Sequence, residues 1–159
     1  MSPRDVPRLT ATEAEVLDEA ELREPRGDAP GAYERSRINY DILLARESWS
    51  LAQAAKLLRV NPSRLRQRLS SANRTLYGIK DGRAWRIPKF QFSRGKLVRG
   101  IGEVLPRIRA DAHPLAVRNW FTTPHQDLVV GASGRRITPL EWLSSGRSPA
   151  DLAALAEEI

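Results

Sequence analysis

The stretch "SWSLAQAAKLLRVNPSRLRQRL", residues 48–69, decides the fold. Its first half places apolar residues at the i, i+3, i+4, i+7 spacing of one helix face: Leu51, Ala54, Ala55 and Leu58. Ser50 is a favoured N-cap for that helix, and Asn61 followed by Pro62 is a favoured start for another. The sequence therefore predicts two short helices, over Leu51–Leu58 and from residue 62 to about residue 71, joined by a tight turn.

The second of these helices is basic on its expected outer face. With Leu65 and Leu69 directed into the core, the helical period places these residues on or beside the opposite face: Ser63, Arg64, Arg66, Gln67 and Ser70. No acidic residue occurs from Arg59 to Lys80. Solvated helices usually mix charge signs to gain i,i+4 pairs, so the pattern favours a phosphate-bearing partner over an ordinary charged surface.

The positive charge of the chain is concentrated in its middle. The chain has a net charge of +7. Residues 1–30 hold 4 basic and 8 acidic side chains, whereas residues 31–100 hold 16 basic and 4 acidic ones. Residues 101–159 hold 6 basic and 7 acidic side chains. Such a block suits a polyanion, because neutralising phosphates releases counterions. Composition alone suits a soluble domain of a basic proteome equally well.

The period of the sequence changes to two after residue 73. Tyr77 and Ile79, then Trp85 and Ile87, alternate around Asp81-Gly82, a pair typical of a two-residue hairpin turn. Pro88 is expected to end the second strand. With Lys80 and Arg83 flanking the turn, the hairpin has a cationic tip that suits a wing on a nucleic-acid backbone. A plain hairpin that closes the core is the alternative.

These two segments resemble a known arrangement. "LAQAAKLLRVNPSRLRQRL" followed by "LYGIKDGRAWRIPKFQF" resembles the winged helix-turn-helix of excisionase and MerR-like DNA-binding proteins, whose wing ends in a Trp/Tyr-Arg-Ile-Pro strand. The resemblance covers residues 49–92. For DNA binding we expect base contacts from Arg64, Arg66 and Gln67, phosphate contacts from Asn61 and Ser63, and wing contacts from Lys80 and Arg83.

The last third of the chain is near-neutral and predicted to be helical from Gly95. Pro114 opens one helix, Thr138 and Glu141 have capping-box spacing before another, and Ser148-Pro149 opens a last helix that runs to the C-terminus. Each helix is too short to be stable alone, so they must pack on one another or on a partner.

This third also carries a resemblance. The strings "WFTTP", "ITPLEWLSSG" and "SPADLAALAEEI" resemble the C-terminal toxin-binding domain of antitoxins of the Xre/ParS/MbcA type, over residues 97–159. Those antitoxins neutralise RES-domain toxins, which consume NAD. The expected toxin contacts are Trp142, Leu143, Glu157 and Glu158. The alternative for this region is a helical dimerisation domain.

Other chemistry is not indicated. There is no cysteine, and neither His113 nor His125 has a second ligand at metal-binding spacing. No nucleophile elbow or phosphate-binding lysine motif occurs. We therefore expect no catalytic residues, no metal and no cofactor. With no apolar run of membrane length and no signal peptide, we expect a cytoplasmic protein without a membrane partner.

The sequence thus predicts a mainly α protein, a winged helix-turn-helix with a small β-hairpin followed by a small helical C-terminal domain. The expected boundaries are 1–31, a flexible acidic segment with a short helix near residues 12–22; 32–93, the DNA-binding domain; and 94–159, the helical domain. The expected function is that of a type II antitoxin that binds a RES-domain toxin and, as a homodimer, its own operator DNA. The alternatives are an excisionase-like or other small DNA-binding regulator without a toxin, and a pure protein-interaction module.

Overall fold

In the part of the chain that the structure describes, the fold is mainly helical with three small antiparallel sheets. A computed structural model describes residues 28–70, 72 and 74–159, so the expected acidic segment and its short helix lie outside the described residues, apart from its last few positions. The helices in that part are α1 (Asp28–Ala45), α2 (Leu51–Leu58), α3 (Pro62–Ser70), α4 (Ile101–Val104), α5 (Pro114–Thr122), α6 (Pro139–Ser144) and α7 (Ala150–Ala156). The strands are β1 (Ser48–Ser50), β2 (Ile79–Asp81), β3 (Ala84–Pro88), β4 (Phe92–Ser93), β5 (Lys96–Leu97), β6 (Val129–Val130) and β7 (Arg135–Arg136).

The helices α2 and α3 form where the sequence predicts them, because both have strong local start signals. Ser50 and Gln53 form a reciprocal capping box at α2: the Ser50 Oγ accepts from the Gln53 N–H at 3.1 Å, and the Gln53 Oε1 accepts from the Ser50 N–H at 2.9 Å. The Asn61 Oδ1 accepts from the Ser63 N–H at 2.8 Å at the start of α3. Both helix predictions are confirmed.

The predicted hairpin is confirmed, but its turn is one residue further along. Asp81 pairs with Ala84, so the turn residues are Gly82 and Arg83 rather than Asp81 and Gly82. Gly82 has φ +60, as the first turn position of a type II′ hairpin requires. Glycine adopts this backbone conformation without a steric penalty, because it has no Cβ. Pro88 ends β3 as expected.

The strand β1 was not predicted from the sequence, and it pairs with β3 on the side opposite β2. Trp49 lies across from Ile87 in this pairing. The sheet packs against the two helices around one small core, whose buried members are Ala54, Ala55, Leu65, Leu69, Leu76 and Ile87. Leu65 and Leu69 of α3 share this core with residues of α2 and of the sheet, and this packing fixes the orientation of α3.

A larger core joins the middle of the chain to its end. Leu43, Tyr77 and Ile79 share it with buried residues from Val98 to Ala156. Residues 39–159 form one compact unit, and residues 28–38, the first turns of α1, belong to another. The expected boundary between residues 93 and 94 stays a prediction, but residues on both sides of it contribute to one core.

The start at Gly95 predicted for the next helix is wrong, although a helix does form within the predicted stretch. Residues 92–97 form the β4–β5 hairpin, and α4 begins only at Ile101, after Gly100 with φ +83. A 3-10 turn over Leu105–Arg107 then follows, at Pro106. The Thr138 capping box is confirmed, and the last helix ends at Ala156 instead of running to the C-terminus. Among the described helices, none has the length and apolarity needed to cross a membrane.

Candidate nucleic-acid interface

The outer face of α3 is as predicted. Leu65 is fully buried and Leu69 is 8% exposed, so these two residues anchor the helix to the core. The opposite side is exposed to solvent and consists of Ser63, Arg64, Arg66, Gln67 and Ser70. A helix held by two leucines therefore presents a polar and basic surface along its whole length.

The arginines on this face have no counter-charge among the residues that the structure describes. Within the described residues, neither Arg64 nor Arg66 has a carboxylate oxygen within 4.0 Å. Arg68 differs, because it is half-buried and its Nε donates to the Thr75 Oγ1 at 2.8 Å. Arg68 thus braces the segment after α3, while Arg64 and Arg66 remain available to a ligand.

The start of α3 is fixed by Asn61. Its Oδ1 is occupied by the cap on the Ser63 N–H, which leaves its Nδ2 as the group of this side chain that can donate to a phosphate. Ser63 is exposed on the first turn beside it. The predicted phosphate contacts therefore lie at the helix end, and Asn61 also has a structural role that the sequence alone implied.

The tip of the β2–β3 hairpin is cationic. The Lys80 Nζ lies 4.7 Å from the centroid of the Trp85 ring, its cross-strand neighbour, and Arg83 is exposed in the turn. The acid of the tip, Asp81, pairs with the Arg86 Nε at 3.4 Å. This pairing cancels one positive charge of the hairpin and leaves those of Lys80 and Arg83 at its tip.

The base of the hairpin is locked to the larger core by the side chain of Gln91, which is fully buried. Its Oε1 accepts from the Tyr77 N–H at 2.9 Å, and its Nε2 donates to the Tyr77 and Pro88 carbonyls at 2.7 and 3.0 Å. Burial raises the pKa of the Tyr77 phenol to about 12. The Gln91 amide makes three hydrogen bonds to the backbone, which link the residues that flank the hairpin to one another and to the core. The hairpin therefore has a fixed position relative to the core.

The residues expected to contact a toxin are arranged differently. Leu143 is 2% exposed and belongs to the larger core, so it is not on the surface of this structure, and its contact with a toxin stays a prediction. Trp142 is half-buried, its Nε1 donates to the Ser148 carbonyl at 3.0 Å, and the Arg147 guanidinium lies 5.1 Å from its ring. Glu157 pairs with the Arg107 Nη1 at 3.2 Å, and Glu158 is exposed.

Both histidines have local structural roles. The His113 Nδ1 accepts from the Leu115 N–H at the start of α5, and the His125 Nδ1 accepts from the Asp127 N–H, each at 3.2 Å. Within the described residues, no cluster of three or more histidine, aspartate or glutamate side chains has the placement needed to hold a metal ion.

A second group of cations was missed by the sequence analysis. Its exposed members are Lys56, Arg59, Arg94, Lys96 and Arg99. The missed signal is "FSRGKL", residues 92–97, in which apolar and basic positions surround Arg94-Gly95 as strands surround a hairpin turn. Because residues 95–97 were assigned to a helix, the basic turn at Arg94-Gly95 was not predicted.

Comparisons with known proteins identify no family. No family model matches the chain, and no curated protein matches it. A solved structure, the NMR structure of Rv2175c, is similar to it with a TM-score of 0.49 and 19% sequence identity, over 70% of this chain and 79% of that one.

Proposed function

We propose that this protein binds double-stranded DNA through α3 and the β2–β3 hairpin, used as a winged helix-turn-helix. The observation that carries the proposal is the exposed face of α3, a helix anchored by Leu65 and Leu69. On it, Arg64 and Arg66 have no carboxylate oxygen of the described residues within 4.0 Å. An α-helix with side chains is about 10–12 Å across, which fits the DNA major groove of about 12 Å.

Each side chain suits the part of DNA that it would meet. The forked guanidinium groups of Arg64 and Arg66 match the O6 and N7 acceptors of guanine, and the amide of Gln67 matches adenine. Ser63 and the Asn61 Nδ2, at the start of α3, are short donors suited to phosphates beside the groove. Base contacts would supply sequence selectivity and phosphate contacts would fix the helix on the duplex.

The hairpin would hold the DNA backbone beside the groove. Lys80 and Arg83 sit at its exposed tip, and the Gln91 hydrogen bonds fix its base. A tip held in this way loses little conformational freedom on binding. We therefore propose that the protein acts as a DNA-binding regulator, by occupying a specific site.

The toxin partner and the homodimer stay predictions, and the antitoxin assignment depends on sequence resemblance. The structure does sharpen its test. Deleting residues 138–159 would remove Leu143, Leu152 and Ala156 from the core and unfold the protein. Replacing the exposed pair with Glu157→Lys and Glu158→Lys leaves the core intact. A co-expressed RES-domain toxin that is still neutralised by this variant would exclude the two acids from the interface.

DNA binding is tested with the full chain and a pool of random duplexes about three helical turns long. In fluorescence anisotropy with a duplex that the wild type selects from this pool, Arg64→Ala with Arg66→Ala should weaken binding at least about tenfold, since each arginine base contact is worth about 1–3 kcal/mol. The matched control is Arg135→Ala with Arg136→Ala, which removes the same charge from the exposed strand β7 and should change affinity far less.

Circular dichroism should show both double variants folded, because all four arginines are exposed. No binding of the pool by the wild-type protein at low salt would contradict the proposed function. Equal losses in the two double variants would show a general charge effect and remove α3 from the interface.

A further inference from the structure

Two arginines have a backbone conformation that arginine rarely adopts. In the described part of the chain, Arg59 with φ 55 and Arg94 with φ 51 are the non-glycine residues at positive φ. Left-handed backbone is unfavourable for residues with a Cβ, and glycine or asparagine is usual there. Strained positions of this kind tend to occur where the side chain has a function.

These two arginines line the same groove. Arg59 ends α2, and Arg94 with Gly95 forms the turn of the β4–β5 hairpin, in which both residues have positive φ as in a type I′ turn. The groove between them has a volume of about 470 Å³ and is also lined by Leu57, Leu58 and Lys96. The hairpin turn is therefore packed beside the end of the first helix of the pair.

The basic surface extends in both directions from this groove. An adjoining groove of about 620 Å³ shares Arg94 and Lys96 and adds Arg99, and another of about 450 Å³ shares Arg59 and adds Lys56. No acidic side chain of the described residues lines any of the three grooves. None of the five cations has a described carboxylate oxygen within 4.0 Å.

We call Lys56, Arg59, Arg94, Lys96 and Arg99 the second basic surface. This surface is next to the start of α3 along the chain, because Arg59 lies two residues before Asn61, the cap of α3. Five unpaired cations grouped along connected grooves create a positive potential that attracts a polyanion. The phosphates of a nucleic-acid backbone can bind such a surface through charge alone, without contacts to particular bases.

We propose that the second basic surface binds the sugar-phosphate backbone of duplex DNA that flanks the segment read by α3. This proposal rests on the proposed function, since it extends the same complex. In this complex the β4–β5 turn acts as a second, shorter wing. Arg94 contacts a phosphate from this wing, and Arg59 contacts a phosphate next to the start of α3. The contribution of the second basic surface is to affinity and salt dependence and not to sequence selectivity.

The test uses Arg94→Gly, because glycine suits positive φ and removes only the side chain. Binding is measured on two duplexes: a short one of about one helical turn, and a long one of about three turns with the same centre. On the long duplex the variant should bind about three- to tenfold more weakly, and the slope of log K against log salt should fall by about 1, the value for one phosphate contact. On the short duplex its affinity should equal that of the wild type.

Two further variants separate binding from structure. Arg94→Lys keeps the charge and should restore the salt slope, and Arg136→Ala removes a charge from β7 and should leave both duplexes unaffected. The melting temperature of Arg94→Gly should equal or exceed that of the wild type, so weaker binding would not reflect unfolding.

The outcomes are distinct. If the wild type binds both duplexes and Arg94→Gly has unchanged affinity and slope on the long one, the second surface is not a DNA contact. Equal losses on both duplexes would also overturn the flanking position. Capture of poly-glutamate by the wild type but not by Arg94→Gly, with DNA affinity unchanged, would assign the surface to an acidic protein instead. Failure of the wild type to bind either duplex would overturn the proposed function itself.

Discussion

Charged side chains on α3 differ in their partners from those at the start of α6 and at the C-cap of α7. On α3, Arg64 and Arg66 are exposed with no carboxylate of the described residues within 4.0 Å. In the C-terminal region, Glu157 pairs with Arg107, and Glu141 both completes a cap and lies 3.8 Å from the Arg135 Nη1.

This difference separates a binding surface from a structural one. Exposed ion pairs contribute little stability, about 0–1 kcal/mol, but they satisfy the charges that form them. Arg64 and Arg66 have no such partner among the described residues, and under the proposed function DNA phosphates and base edges would supply it. The contrast supports DNA binding at α3, whereas the C-terminal helices have a clear structural role in the core.

The largest expected effect tests whether the two regions are separate at all. Leu152 is fully buried in α7, in the same core as Leu43 and Tyr77. Leu152→Ala should lower the free energy of unfolding by about 2–5 kcal/mol, and the whole unit should melt in one transition. Urea unfolding followed by circular dichroism measures the loss. Val129→Ala, at a residue 47% exposed, is the control with little expected change.

A DNA-binding region that keeps its own transition in Leu152→Ala would contradict the shared core. Amide hydrogen exchange, with α3 and α7 followed separately, distinguishes the two cases. Loss of protection in both helices together is the expected result.

A smaller effect concerns the join between the hairpin and the core at high pH. Burial raises the pKa of Tyr77 from 10.0 to about 12, so the folded state favours the neutral phenol. Its contribution is complete below pH 10 and is lost as the pH rises from 10 towards 12, by about 1.4 kcal/mol per pH unit. Tyr77→Phe keeps the ring without the titrating group and should therefore show a shallower loss of stability over this range.

Urea unfolding of both proteins at several pH values between 9 and 11.5, about the range of the Tyr77 transition, checks this. Parallel curves for wild type and Tyr77→Phe would show that Tyr77 does not resist ionisation in the folded state.

The smallest effect separates stability from binding at the start of α3. Asn61→Ala removes the cap on the Ser63 N–H and should cost about 1 kcal/mol. Asn61→Asp keeps a cap oxygen and should preserve the melting temperature, but its negative charge faces the expected phosphate and should weaken DNA binding. Thermal melts and anisotropy of both variants measure the split. An Asn61→Asp protein with wild-type affinity would place the end of α3 away from the backbone.

The sequence predicted the elements that depend on local signals. Ser50 and Gln53 cap α2, Asn61 caps α3, and Thr138 and Glu141 cap α6, each within a few residues of one another. The α3 face followed from the same local period, because Leu65 and Leu69 leave a single inward side.

The elements that depend on distant pairing were not predictable in this way. The strand β1 has three residues and exists because Trp49 meets Ile87, a partner 38 positions along the chain. The turn shifted from Asp81-Gly82 to Gly82-Arg83 because glycine suits either register, and cross-strand pairing chose between them. The burial of Leu143 was not predicted, because an apolar residue on a short helix is equally typical of a core and of an interface.

The central claim is that α3 reads base edges, and selection from random duplexes tests it most directly. The wild-type protein should enrich one sequence motif, and Lys80→Ala with Arg83→Ala should enrich the same motif at lower affinity, because tip contacts carry no sequence information. Arg64→Ala with Arg66→Ala should lose the motif. Enrichment of an unchanged motif by the Arg64→Ala, Arg66→Ala protein would contradict the claim.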